Sequence, residues 1–594
     1  MDGIVGMLIL FWLISITQKS AIFAAMRYTV VFLALISSLC SYAQSSFVQS
    51  NNREYSHLID RYEILNGRID RKYWLYGQLH TSSKPLQRYE IGAMAEQLLK
   101  DSNKRYTQRD IFNLEYLLTD NPDIQDNAIV KGTPVLKHFY TYKAALYGFK
   151  AYEFSILINP VLNFTAGTEQ VDGETRAIWQ NTRGAEMRGQ IGRKVGFYTY
   201  LTENQVKAPL YLADRTRAAG VFPGAGLTKP YKTDSNTFDF FEARGYITFD
   251  VAKVMNFQFG HDRNFIGNGY RSLILSDFSK ENLFLKIKTN VWRINYTNLF
   301  MQLNAFNPTL AKRDKRDKFM TFHHLSVNIA PKLNIGIFES IVFSRGDSAT
   351  GNGNFDYNYL NPIIFYRAIE QSNSGVSGDN ALLGFDVKYN PTKSLSLYGQ
   401  VVLDEFHIKE LRSNRGSWLN KYGLQGGMKY INAFTINNLD IQLEANHVRP
   451  YTYQHFNSAQ TYTNTGTPLA HPMGANFNEF ITIIRYQPAK RINIIAKAIY
   501  AKYGTDSAGL NFGGNINQNY YTRYAENGNT VGQGVGNTLL WGELTATYMP
   551  AHNLFFDVHF IYRKVNSDVA TQSTTSNMLM VGMRYNFGLR GFEF

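Results

Sequence analysis

Residues 439–446 read Leu-Asp-Ile-Gln-Leu-Glu-Ala-Asn, and residues 241–251 read Phe-Glu-Ala-Arg-Gly-Tyr-Ile-Thr-Phe-Asp-Val. Apolar and polar side chains alternate at a period of two, so an extended chain has one face suited to hydrocarbon and one suited to water. The pattern recurs where Leu554, Phe556, Val558, Phe560 and Tyr562 are interleaved with Asp557, His559 and Arg563. Such strands run to about ten residues, the length that crosses a bilayer at a tilt. Sandwich strands in soluble proteins centre on five or six residues.

The composition agrees. The chain has 594 residues, of which 44% are hydrophobic but only 18% charged, with 39 Tyr, 41 Phe and 46 Gly. Mean hydropathy is only −0.27. Disorder is excluded by this much apolar surface. A bundle of membrane-crossing helices is excluded after residue 43, where no apolar run approaches the roughly 20 residues that a spanning helix needs. Alternating strands resolve the combination, because only every second residue must be apolar. The formal net charge of +14 favours anionic partners or serves as balance against anionic lipid headgroups.

Met26-Arg27-Tyr28, the apolar run from Thr29 to Leu39, and Cys40-Ser41-Tyr42-Ala43 together read as a secretory signal cut after Ala43. Translation is expected to start at Met26, with residues 1–43 as the leader. Leu39 stands where a lipoprotein signal wants a small residue. The single cysteine, Cys40, lies in this leader, so the mature chain offers no disulfide, no thiolate metal site and no cysteine nucleophile. Residues 44–150 differ from the rest. Ile91, Ala95 and Leu98 stand at helical spacing within 88–100, and Thr107-Gln-Arg-Asp110 resembles a capping box with Asp in place of Glu. This segment is read as small and mainly helical, on the periplasmic side or tucked into that mouth, and unlike the globular plug of a large transporter.

Residues 151–594 form the expected all-β part, a transmembrane antiparallel β-barrel. Eighteen candidate strands fall between 154 and 587. Their connections alternate in length. Short ones include 330–332, 390–393, 488–490 and 550–553; long ones include 205–237, 262–282, 304–319, 344–379, 450–475 and 503–536. Short turns on one side and long loops on the other mark an outer-membrane barrel, and an even strand number brings both barrel ends to the short-turn, periplasmic side. In the last strand Leu579, Val581, Met583, Tyr585 and Phe587 are expected on one face, and Gly582-x-x-Tyr585-x-Phe587 resembles the signal read by barrel-assembly machinery.

Three segments carry a family resemblance. Phe259-Gly-His-Asp-Arg-Asn-Phe-Ile-Gly-Asn-Gly-Tyr-Arg-Ser-Leu-Ile-Leu-Ser-Asp277 followed by Val291-Trp-Arg-Ile-Asn-Tyr296, then Thr182-Arg-Gly-Ala-Glu-Met-Arg188, and Tyr462-Thr-Asn-Thr-Gly-Thr-Pro-Leu-Ala-His-Pro-Met-Gly474, resemble the Wzi-type capsule-assembly family. More similar still is its Bacteroidota branch, labelled gliding-motility protein RemB. The resemblance covers most of residues 80–590. It implies an eighteen-stranded outer-membrane barrel with a periplasmic helical portion, the same number as the strand count. It also implies retention of extracellular or capsular polysaccharide at the cell surface, without catalysis.

The residues suggest where a glycan would bind. Asp262, Arg263, Asn264, Tyr270 and Arg271 offer hydrogen bonds, and an arginine fork suits carboxylate or phosphate groups. The competing reading, which is preferred, is an internal network that holds this loop in the barrel. Lys312, Arg313, Lys315 and Arg316 belong to a basic run (312–318) suited to an anionic polysaccharide, to lipopolysaccharide phosphates, or to plain solvent. Tyr451, Tyr453, Tyr462 and Asn464, with His455, form an aromatic and polar loop that either stacks on sugars or packs as an interfacial girdle. His447, His455 and His471 are not at metal-ligand spacing. No Gly-x-Ser-x-Gly elbow occurs, and Gly192-Arg-Lys194 lacks the rest of a phosphate loop. No enzyme, metal or cofactor is expected, and an exported chain is no partner for nucleic acid. The alternatives to glycan anchoring are a component of gliding motility or adhesin assembly, partnered by envelope proteins, and a diffusion porin.

Overall fold

The computed structural model describes residues 45–67, 79–101, 106–121, 143–192, 194–231, 234–252, 254–306, 315–345, 354–363, 365–366, 378–405, 408–413 and 415–593. The expected leader lies outside them.

Eighteen antiparallel strands close into one barrel. In chain order they are β1 (Phe154–Val171), β2 (Glu174–Ile191), β3 (Val195–Lys207), β4 (Asp234–Val251), β5 (Met255–Asp262) and β6 (Asn282–Val291). Next come β7 (Ile294–Phe306), β8 (Lys315–Ala330), β9 (Leu333–Phe343), β10 (Asn380–Tyr389), β11 (Leu395–Glu405) and β12 (Lys421–Tyr430). The last six are β13 (Leu439–Val448), β14 (Phe477–Ala489), β15 (Ile492–Thr505), β16 (Val535–Ala551), β17 (Leu554–Ser567) and β18 (Thr574–Tyr585). Each strand pairs with its sequence neighbour, and β18 pairs back onto β1 from Ser576–Val171 to Tyr585–Leu162.

The alternation sets the two faces. On β4, Phe241 is 62% exposed whereas Glu242 and Arg244 are buried. On β13, Asp440, Gln442, Glu444 and Asn446 are all buried. Phe480, Leu544, Phe556, Val558, Phe560 and Val581 continue an exposed apolar belt. The protein is thus apolar outside and polar inside, as a barrel in an outer membrane must be.

Two details depart from the sequence reading. The first hairpin is longer than expected at the long-loop end: β1 and β2 pair as far as Val171–Glu174 and turn through Asp172 (φ 47°) and Gly173 (φ 92°). Two positive-φ residues match the strand twist, the reason such turns favour Asp-Gly. At the other end, Phe587 does not share the face of Leu579 and Val581. The strand stops at Tyr585, Asn586 takes φ 51°, and Phe587 turns inward against Phe47, Val161, Tyr198, Tyr200 and Tyr246.

The short-turn mouth is filled by three helices, α1 (Arg53–Asn66), α2 (Arg88–Lys100) and α3 (Gln108–Asp120). Asn52 caps α1 by accepting from the Tyr55 N–H, and Gly67 ends it at φ 75°. Thr107 and Asp110 form the capping box of α3. The helices share an apolar cluster that includes Tyr62, Ile91, Ala95, Leu98, Leu114 and Leu117. This small plug is bound to the barrel by charge. Lys429 donates to Asp60 at 2.6 Å and Lys388 to Glu63 at 2.7 Å. Arg485 reaches Glu54 at 2.9 Å. Arg61 bridges Asp440 and Asp110. Burial pushes the Asp60 carboxyl up, but Lys429, with Lys84 and Lys388 nearby, more than offsets this and holds it well below the usual carboxylate range.

Removing one partner of a buried pair leaves an uncompensated charge, at a cost of about 3–5 kcal/mol. Arg61→Ala is therefore expected to expose α1 to protease while the barrel keeps its heat-modifiable migration on SDS gels. Equal protease resistance in variant and parent would contradict this account of docking.

Candidate functional site

The segment between β5 and β6 does not stand above the membrane. It folds down into the lumen. Ile266, Leu273, Ile274 and Leu275 pack against inward side chains of the wall, among them Phe284, Leu299, Met320 and Phe338. There it meets the plug rising from the opposite mouth: Ser83 pairs with Ile266 and Lys84 with Phe265 in a two-stranded ladder.

The residues that sequence brought forward in this segment are engaged inside. Arg263 reaches Glu242 at 3.2 Å and Glu281 at 3.3 Å. Asn264 accepts from Lys286 at 3.2 Å. Asp262 lies 3.9 Å from Arg244. The Tyr270 and Arg271 amides donate to Glu444 at 2.6 and 3.0 Å. The Tyr270 hydroxyl donates to Glu593, and Arg271 donates to the Glu593 carbonyl at 3.3 Å.

Residues 586–593 thread back into the barrel to make these contacts. Glu593 also pairs with Lys497 at 3.2 Å, and Arg590 with Glu242 at 3.4 Å. Burial raises the Glu593 carboxyl, but Lys497 and Arg271 outweigh it and hold the pKa at about 2. Burial, then Glu593, pushes Tyr270 up to about 12. A cavity of about 130 Å³ remains here, lined by Arg53, Glu242, Arg271, Arg485, Lys497 and Glu543 among others.

The loop between β13 and β14 lies over this layer. Tyr453 donates to the Leu273 carbonyl at 2.6 Å and Tyr462 to the Ile274 carbonyl at 2.9 Å. Tyr451 donates to the Asn511 carbonyl at 3.2 Å. Asn464 takes the Asn304 amide at 3.1 Å and donates to the Lys280 carbonyl at 3.3 Å. All four side chains are buried, so they bind loop to loop. His455 is buried too. Of the basic run, Lys312 and Arg313 lie outside the described residues. Lys315 and Arg316 open β8, paired with Phe306 and Ala305. Among the described residues no group of His, Cys, Asp and Glu has the geometry of a metal site.

The outer surface of this cap presents residues that sequence reading passed over. Tyr521 is 66% exposed and Tyr524 59%. Tyr521 lies against Phe456 (centroids 6.0 Å) and Tyr520 (5.2 Å). Trp418 packs on Tyr520 at 4.9 Å and carries Arg523 over its ring at 4.1 Å. The neighbouring loop is bonded to this one: the Gly528 amide donates to the Arg415 carbonyl at 2.7 Å and the Trp418 amide to the Glu526 carbonyl at 3.0 Å. That loop exposes Lys409, Arg412 and Arg415. Open aromatic faces and exposed cations thus share two interlocked loops. Asn517-Gln-Asn-Tyr-Tyr-Thr-Arg-Tyr524 has the same Tyr and Asn enrichment that drew attention to residues 451–464, and that signal was available in the sequence.

No known family profile matches the chain, and no curated protein matches it. Solved structures do. One neighbour, described as Wzi, an outer-membrane protein involved in group 1 capsule assembly in Escherichia coli and a carbohydrate-binding β-barrel, aligns with TM-score 0.53 at 14% identity. The alignment covers 92% of this chain and all of that one. OprD of Pseudomonas aeruginosa aligns at TM-score 0.38 and 10% identity, over 72% of this chain and 94% of its own. The first of these shows the fold: this is a closed β-barrel similar in form to that of Wzi.

Glu593 gives a pH signature. Its folded pKa is depressed, so its contribution is whole above the ordinary carboxylate value of about 4.3 and is lost progressively as pH falls toward about 2. Glu593→Gln is expected to flatten the fall in the detergent unfolding midpoint across that window. An unchanged pH slope would show that residues 586–593 add no stability through this carboxylate.

Proposed function

We propose that this protein is a non-catalytic surface receptor and anchor for an anionic extracellular polysaccharide, held by the outer face of its loop cap. The observation that carries this reading is the pairing of exposed Tyr521 and Tyr524 with exposed Lys409, Arg412 and Arg415 on two bonded loops. Aromatic rings give sugar rings a flat apolar face, and arginine gives carboxylate or phosphate substituents a planar fork. The Wzi neighbour is itself described as carbohydrate binding, which supports the same reading. Export by the leader ending at Ala43 puts the short-turn end and residues 44–150 in the periplasm and the long loops outside.

The proposal places the glycan contact not on the candidates named from sequence but on their neighbours. Asp262, Arg263, Asn264, Arg271, Tyr451, Tyr453, Tyr462 and Asn464 support the surface from beneath, because they are buried and bonded to protein partners. A diffusion channel is disfavoured by the filling of the lumen from both ends.

Tyr521→Ala combined with Tyr524→Ala is expected to weaken binding of purified acidic capsule or exopolysaccharide about tenfold, since two lost stacking contacts amount to about 1–3 kcal/mol. Arg412→Gln with Arg415→Gln should reduce the salt dependence of that binding. Binding by both double variants equal to the parent would overturn the assignment. In planar bilayers the parent protein is expected to be silent, and steady conductance steps would restore the channel reading.

A further inference from the structure

The loop between β9 and β10 behaves unlike the others. Its described part, residues 354–363 and 365–366, runs down the outside of the barrel wall. Tyr359 and Tyr366 pack with Ile341 and Phe343, and Tyr366 lies 3.8 Å from the His323 ring, centroid to centroid. The wall beneath is unusual for a surface that meets lipid. Asn298 pairs with His323, and His323 with Glu339, in one row across β7, β8 and β9. All three point outward, yet all are buried. The next residue in that row, Leu383 on β10, is 48% exposed. The row one step toward the short turns, Leu325–Ile337–Phe385, is exposed apolar belt. His323 lies seven residues from Ala330 at the short turn. At about 3.3 Å per residue and a tilt near 40°, that is roughly 18 Å up an apolar band about 25 Å tall.

The other side of the loop exposes Asn358 and Asn361 together with three apolar side chains. Ile363 is 84% exposed and Phe365 73%, with Leu360 beside them. Irregular backbone at membrane depth requires polar groups to be met by protein, and several here are. The Tyr366 amide donates to Glu339 at 2.8 Å. The Ile363 amide donates to the Asn361 side chain at 3.1 Å. The Pro362 carbonyl accepts from Tyr296. Proline brings no N–H of its own. At its root, Arg345 holds Asp356 at 3.1 Å and Asp379, and Tyr359 donates to Asp379 at 2.7 Å.

We propose that residues 355–363, with Phe365 and Tyr366, are an intramembrane strap: they seal the polar row Asn298–His323–Glu339 from lipid and present Leu360, Ile363 and Phe365 to the acyl chains of the outer leaflet. The occupant of this surface is hydrocarbon, because the strap is continuous with the lipid-exposed belt on its flanks and its outer side offers apolar side chains at the same depth. The proposal requires only that the barrel sit in a membrane and is independent of any glycan.

The test uses the full chain in a Cys40→Ser background, which removes the only cysteine. Ile363→Cys and, separately, Phe365→Cys are nitroxide-labelled in the barrel reconstituted in phosphatidylglycerol–phosphatidylcholine bilayers. Collision with dissolved oxygen is compared with collision with a water-soluble nickel chelate. Leu383→Cys is the belt control and Tyr521→Cys the water control. Oxygen is expected to dominate at 363 and 365, as at 383, while nickel dominates at 521. Nickel dominance at both strap positions, with heat-modifiable migration intact, would overturn the proposal. Either position alone showing oxygen dominance supports it.

Discussion

Everything in this molecule follows from the lack of hydrogen-bond partners in hydrocarbon. A strand crossing the membrane must find every partner in another strand, and the set must close. The ladder between β18 and β1 is the closure, and through it no edge faces lipid. The alternation of Phe, Leu and Ile with Glu, Arg and Asn is the consequence: each strand is wetted by hydrocarbon on one side only. The inward side then faces a second requirement. Glu242, Arg244, Lys388, Lys429, Asp440 and Arg485 sit in a space too narrow to leave each fully hydrated, so each needs a partner of opposite charge or a hydrogen bond.

Protein supplies those partners. The plug enters from the short-turn mouth with Glu54, Asp60, Arg61 and Glu63 placed against wall charges. The segment between β5 and β6 descends from the other mouth with Arg263 and Arg271. Residues 586–593 fill the space between, and the ladder of residues 83–84 with 265–266 ties the two insertions together. Inward residues that would line a wet channel in a porin are here the mortar of a solid interior. That is why the proposed glycan contact falls on the outer surface of the cap and not within the barrel.

The wall was legible in the sequence because burial of alternate residues leaves a period of two, and strands of about ten residues joined by alternating short and long connections set it apart from a sandwich. The capping box at Thr107 and Asp110 was legible for the same reason: its residue types and spacing have one geometric meaning. The destination of the loops was not. Residues 262–277 and 451–464 combine Arg, Asn, Tyr and Gly, and that composition serves to hold a sugar or to hold a neighbouring loop; the second was the preferred reading for 262–277 and the two stood level for 451–464. Only the positions of Leu273, Ile274 and Glu444 decide between the two. Phe587 was misplaced because strand periodicity was carried past Asn586, and a single left-handed residue reverses every face that follows it. Tyr521 and Tyr524 carried the same signal and were hidden by the more obvious cluster before them.

The strap and the cap show how the same residue types change meaning with their solvent. Tyr359 and Tyr366 lie against a wall that holds His323 and Glu339, and their rings shield those groups from lipid. Tyr521 and Tyr524 face water, where an open ring is a surface for something to bind. A histidine and a glutamate on the outer wall would be a liability at belt depth if bare. Covered by aromatic rings and bonded to the strap where the Tyr366 amide donates to Glu339, they become the seat that fixes the strap in place. The outer wall is therefore apolar by two devices, side-chain alternation over most of its girth and an added layer of chain over β7 to β9, and the second lets that sector of wall carry polar residues that the first would forbid.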